Sequence, residues 1–128
     1  MALYHLTVNQ IKRSAGQSAI AAAAYRAGER LYSDYYGEYS DYTRKGGVIC
    51  SEIILPPHAP PEYQDRAALW NTVEQVEKHP KAQLAYSFDV ALQNELSMEE
   101  NIGLAKEFVR RCLVDRGMIA DLAIHAPD

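Results

Sequence analysis

The sequence predicts an α+β domain, an antiparallel-type sheet with helices packed mainly on one face. Three observations predict it. The hydrophobic pattern switches repeatedly between strand-like alternation and helix-like three-to-four spacing, giving the order β-α-β-α-β-α-β. The strand-like runs alternate apolar with small or polar residues, as half-buried strands do, and are not continuously apolar like strands covered on both faces. No glycine-rich phosphate loop follows any strand, which argues against a doubly wound nucleotide fold. At 128 residues, with no repeat, linker or low-complexity tract, residues 1–128 read as one domain.

Residues 2–8, ALYHLTV, are β-branched and apolar enough for a first strand, with Tyr4, Leu6 and Val8 as its better core face. His5 falls on the other face. Ser14, Gly16 and Ser18 carry turn and cap chemistry, and a helix follows over residues 17–30. Its four-alanine run, residues 21–24, has high helix propensity and little side-chain bulk, so this helix can lie close against a sheet. Tyr25 stands near its middle, beside the i,i+4 pair Arg26 and Arg30. Residues 31–42 hold five of the nine tyrosines, with no clean period. They read as a long loop with room for a short hairpin at Gly37, serving either as packing or as a platform for stacked bases.

Gly46 and Gly47 mark a turn, and VICSEIIL, residues 48–55, reads as the second strand. Four prolines between residues 56 and 61 hold an extended connection. Asp65 then caps a helix reaching about residue 78, with Ala68, Leu69, Thr72, Val73 and Val76 as its stripe and Trp70 as a flanking anchor. Over residues 82–93, Leu84, Tyr86, Phe88 and Val90 form the larger apolar face of a long strand. Ser87 and Asp89 lie on the smaller, more polar face. Ser97 and Glu100 form a capping box for a helix to about residue 116, which Gly117 ends. Residues 118–126 are the last strand. Ala120, Leu122 and Ile124 line one face, and Asp121 and His125 the other.

Composition narrows the classes. Apolar residues make up 48% of the chain, enough for a real core, and no run of about 18 apolar residues suggests a membrane span. Cys50 and Cys112 lack metal-ligand spacing and read as thiols of a reducing compartment, or less simply as a chance disulfide. The net charge of -4 argues against a generic basic nucleic-acid binder. It is uneven: residues 1–50 hold six Lys/Arg against four Asp/Glu, and residues 51–128 hold seven against thirteen. A DNA site would lie toward the N-terminal half.

Four stretches carry a resemblance: YHLTVNQIKRSAGQSAIAAAAYRAGER, DYTRKGGVICSEIILP, LWNTVEQVE and GMIADLAIHAPD. Together, in this order, they resemble the MobA/MobL (MobQ-type) plasmid mobilisation relaxases of the HUH endonuclease superfamily, over the entire chain. The resemblance implies nicking and rejoining of one DNA strand at a plasmid origin of transfer, through a 5′-phosphotyrosine intermediate. The matching nucleophile is Tyr25. The implied cofactor is a divalent metal, Mg or Mn, held by three histidines, of which His125 matches the first. The other two form an H-x-H pair downstream, which this sequence does not contain. The chain therefore reads as the N-terminal part of a relaxase domain, lacking the H-x-H strand, inactive alone and without a tightly bound metal. It would expose a sheet edge, expected to pair with a second chain as a homodimer or to be covered by another segment.

The implied partners are single-stranded plasmid DNA, the other relaxosome proteins and a secretion coupling protein, in the bacterial cytoplasm. Where related members carry Ala-Arg-Glu, this chain has Ala85-Tyr86-Ser87. Asp89 points to the same face and is the expected replacement for the glutamate, unless it is only a solvated strand residue. Lys12, Arg13, Arg26, Arg44 and Lys45 are the expected phosphate contacts. The alternatives are a non-catalytic DNA-binding module and an interaction domain with no DNA role.

Overall fold

The computed structural model describes residues 3–77, 79–92 and 95–126, with side chains described from residue 9 onward and not at residue 92. The strands are β1 (Leu3–Lys12), β2 (Arg30–Ser33), β3 (Glu38–Asp41), β4 (Val48–Ile54), β5 (Gln83–Leu92) and β6 (Ala120–His125). The helices are α1 (Ala19–Ala27), α2 (Arg66–Val76) and α3 (Met98–Cys112). The α+β class holds, but among the described residues the strands form three antiparallel two-stranded ladders, β1–β5, β2–β3 and β4–β6, and not one sheet. Side chains and helices join the ladders where backbone hydrogen bonds do not. No helix among the described residues is long and apolar enough to cross a membrane.

Local chemistry explains most boundaries. Ser18, Asp65 and Ser97 cap the three helices, accepting from Ala21 N, Ala68 N and Glu100 N. Ser97 N also donates to Glu100 Oε1 at 3.2 Å, which completes the expected capping box. The tyrosine-rich stretch is a hairpin turning at Gly37, whose φ is +67°. α2 stops at Val76, short of residue 78, which lies outside the described residues. The expected core face of Tyr4, Leu6 and Val8, and the second face with His5, also lie outside the described side chains.

Three apolar clusters make the core. Ile20, Ala23 and Ala24 of α1 pack with Leu31 of β2 against Ala67 and Trp70 of α2. Ala19, Ala82 and Leu84 pack against Ile11, Trp70 and Val73. Ile54, Val114 and Ala120 pack under Val109, Leu113 and Leu122, so α3 covers β4–β6. The alanine spine thus lies mainly against α2 and β2, and reaches the β1–β5 ladder chiefly through Ala19. The expected large face of β5 is also corrected. Leu84 is buried, but Tyr86 is 60% exposed and Phe88 is exposed, while Ser87 is buried. Arg26 of α1 covers Ser87, while Leu84 packs with Ala19, Trp70 and Val73 beside the register shift at Ile11/Lys12, so size and hydropathy along the strand do not decide which side is inside. Val76 of the α2 stripe is likewise exposed, at the helix's last residue. Both cysteines are free thiols.

Candidate active site

The helix that carries Tyr25 is held by one face. Ala19, Ile20, Ala23, Ala24 and Ala27 are buried, and helical spacing leaves Tyr25 on the outer side, 51% exposed. α1 ends at Gly28 (φ +67°), whose N–H donates to Ala24 O. The left-handed turn favours glycine here, and a Cβ would also crowd Val48 Cγ2 at 3.2 Å.

Three side chains gather on the Tyr25 end of the helix. Tyr42 meets the Tyr25 ring edge-on, with centroids 5.3 Å apart. Lys45 Nζ donates to Tyr25 O at 3.0 Å and lies 4.2 Å from the Tyr25 ring centroid. His125, at the end of β6, brings Nε2 within 2.7 Å of Arg26 O. A carbonyl oxygen only accepts, so Nε2 is the donor in this contact. Lys45 Nζ is 3.5 Å from the same Nε2. Lys45 is therefore a close cationic neighbour of both Tyr25 and His125.

Arg26 joins the two longer ladders. Its carbonyl receives His125 from β6, while its guanidinium donates to Ser87 Oγ on β5 and lies 3.9 Å from Asp89 Oδ1. The structure thus brings Tyr25, Arg26, Lys45, His125 and Asp89 to one region. Asp89 is exposed and reaches it through Arg26, the residue next to Tyr25 in the chain. Lys12 and Arg44 are exposed. Arg13 is a correction: it is 8% exposed, and its guanidinium donates to Glu74 O and Glu77 O and stacks on Tyr35. Held this way, it is not available to a phosphate.

The other end of α1 rests on a residue that sequence reasoning missed. Glu74 of α2 is fully buried, and its carboxylate accepts from Ser18 Oγ (2.8 Å), Ala19 N (3.0 Å) and Ser33 Oγ (2.8 Å). The helical period does align Glu74 with Ala67 and Trp70, the α2 residues that face α1. Its charge argued against burial, and only the converging donors make burial tolerable. Asp121 was also missed. Its carboxylate receives Arg66 Nε and Nη2, both at 2.8 Å, and Trp70 Nε1 at 2.8 Å, tying β6 to α2 four residues before His125. Burial works against the Arg66 charge, but Asp121 and Glu29 outweigh it and raise the guanidinium above its ordinary pKa.

Chemically, the region offers an exposed phenol, an ammonium beside it and an imidazole. Among the described residues, no group of three or more His, Cys, Asp or Glu side chains is placed to share a metal ion. His125 alone does not fit a divalent ion, which needs several convergent donors. No step is routed through a metal here.

Known proteins resemble this chain closely. The MobA/MobL family matches residues 17–128. Mobilization protein MobL of Acidithiobacillus ferridurans is 47% identical over 128 residues, covering 99% of this chain and 33% of that protein. Conjugal transfer protein TraA of Rhizobium radiobacter is 37% identical over 135 residues, covering 98% of this chain and 12% of that protein. A solved structure from work on the molecular basis of vancomycin resistance transfer in Staphylococcus aureus has a TM-score of 0.92 and 38% identity. It is matched over 98% of this chain and 63% of its own. The chain spans a third or less of these two curated relatives.

Proposed function

The chain belongs to the MobA/MobL family, and from that premise we propose that it is the nucleophile-bearing part of a DNA-nicking relaxase. In this reading the Tyr25 phenol attacks one phosphodiester of single-stranded DNA at a plasmid origin of transfer. A 5′-phosphotyrosine forms and a 3′-hydroxyl leaves. Because the covalent link conserves the phosphodiester energy, the same residue can rejoin the ends. The observation that carries the reading is that Lys45 lies against both the Tyr25 ring and the His125 imidazole at one helix end. Asp89 is the carboxylate of the site, as a base or as the partner that orients Arg26. A divalent ion, Mg²⁺ or Mn²⁺, would take His125 as one ligand and needs further donors beyond the described residues. Relaxosome and secretion coupling proteins follow from the same reading as partners.

The test uses the full-length protein with Mg²⁺ or Mn²⁺ and 3′-labelled single-stranded oligonucleotides tiling the DNA that flanks its gene. A denaturant-stable protein–DNA adduct is expected from the unsubstituted protein and none from Tyr25→Phe. An adduct that persists in Tyr25→Phe sinks the assignment. Asp89→Asn should form the adduct at least about tenfold more slowly. An unchanged rate removes Asp89 from the site. The second reading, a non-catalytic DNA-binding module, is favoured by one observation. Ser87, at the position where related members have glutamate, is engaged by Arg26 and supplies no carboxylate. Tight DNA binding with no adduct under any metal would select it.

A further inference from the structure

We propose that Lys45 is a further catalytic residue, a fixed cation that contacts the phosphate under attack. The inference rests on the nicking reading above and adds to it a role for one side chain. Three observations carry it. First, the ammonium lies beside the nucleophile's residue: 3.0 Å from Tyr25 O, 4.2 Å from the Tyr25 ring centroid and 3.5 Å from His125 Nε2. A phosphate placed between Tyr25 and His125 therefore meets Lys45. Second, its backbone is tied down on both sides of the site. Lys45 N donates to Tyr42 O at 3.0 Å, Tyr42 N donates to Glu29 O at 3.0 Å, and Ala126 N donates to Gly47 O at 2.7 Å. The loop is thereby fastened to the end of α1 and to the strand that carries His125. Third, the charge is uncommitted. Arg26, Arg30, Arg66, Lys106 and Arg111 each lie within ion-pair distance of a carboxylate, and among the described residues Lys45 does not.

An ammonium has three donors. One goes to the Tyr25 carbonyl, which leaves donors for a non-bridging phosphate oxygen. In the transfer step, the Tyr25 phenol loses its proton to Asp89 or to solvent as its Oη bonds to phosphorus. The bond from phosphorus to the 3′ oxygen breaks, and that oxygen takes a proton from water. No oxidant or reductant is involved. Negative charge rises on the non-bridging oxygens, and a cation already in place stabilises it without reorganising. Among the expected phosphate contacts, Lys45 differs from Lys12 and Arg44 in this respect: it touches the nucleophile's own residue.

The competing explanation is structural: a lysine near a helix C-terminus can simply satisfy its last carbonyls. The test compares the full-length protein with Lys45→Met, Lys45→Gln and Lys45→Arg. It uses the tiled single-stranded oligonucleotides and measures adduct formation at saturating DNA, DNA affinity against salt, and melting temperature. Expected are a roughly 100-fold slower adduct in Lys45→Met and Lys45→Gln at saturating DNA, and substantial recovery in Lys45→Arg. Lys45→Gln retains a donor for the Tyr25 carbonyl but no charge, so a wild-type rate in that variant assigns Lys45 to the helix end and overturns the proposal. A wild-type saturated rate with weaker binding and a salt slope lower by about one makes Lys45 an ordinary backbone-phosphate contact, which also overturns it. Loss of rate only in step with loss of melting temperature overturns it as well. No adduct from the unsubstituted protein fails the nicking reading, and this proposal falls with it. An adduct that forms equally fast in every Lys45 variant fails this proposal alone.

Discussion

The two ends of α1 are built on opposite principles. At the Ser18 end, a fully buried carboxylate, Glu74, gathers two serine hydroxyls and the Ala19 N–H, and Arg13 closes over its backbone carbonyl. The Glu74 carboxylate and both terminal nitrogens of Arg13 there are matched to other groups of the chain. At the Tyr25 end, a phenol 51% exposed stands beside an ammonium and an imidazole, with ring faces and donors left over. The helix is nine residues long, too short to hold itself. The difference teaches that a short helix can present a reactive group to solvent when its far end is locked. The closed end supplies the rigidity that the open end lacks.

The largest effect that could break this comparison is Tyr25→Phe. It should abolish adduct formation, with a change in unfolding free energy within about 0.5 kcal/mol, as for an exposed site. A large loss of stability by denaturant titration would show that the open end is structural after all. Next, Glu74→Ala should cost about 3 kcal/mol and lower the melting temperature by roughly 10 °C, because three donors, two of them buried, lose their acceptor. A cost near zero in calorimetry would mean the closed end does not lock the helix.

Asp121→Asn weakens the charge-assisted pair with Arg66 and should cost about 2 kcal/mol. A shift of the His125 ring signals in NMR would show that this pair also holds the imidazole in place. The smallest effect concerns the hairpin. Asp41 accepts from Thr43 Oγ1 (2.6 Å) and Thr43 N (2.9 Å), chiefly the former, and its pKa lies below the ordinary 3.8. A carboxylate with a depressed folded pKa contributes stability above its unfolded pKa and loses it as pH falls through the folded value, here below about 3.8. Thr43→Val should move the Asp41 titration, followed by ¹³C NMR, upward toward that value. An unmoved titration leaves Thr43 without the effect assigned to it.

Much of this was legible along the chain because the determinants are local. Ser18 and Ser97 cap their helices, Gly28 ends α1 and Gly37 turns the hairpin through interactions among near neighbours. What failed were inferences about which side is inside. Tyr86 and Phe88 are larger and more apolar than Ser87, yet they face outward, because α1 arrives on the Ser87 side and donates Arg26 to it. Arg13 and Lys45 looked alike as basic residues next to turns. One is buried against backbone carbonyls, and the other is set on the Tyr25 end of the helix. No spacing in the sequence distinguishes them, since their partners lie 61 and 20 residues away.

By itself the sequence determined the α+β class, most helix and strand limits, the family, and Tyr25 and His125 as the residues to watch. These depend on capping, periodicity and ordered motifs, which act over short stretches of chain. Only the tertiary structure decided that the strands pair as three ladders, that Arg26 joins two of them, that Glu74 is buried and that Lys45 stands beside Tyr25. The physical reason is that burying a charge, or leaving one uncommitted, depends on which distant donors and acceptors the fold brings within about 3 Å.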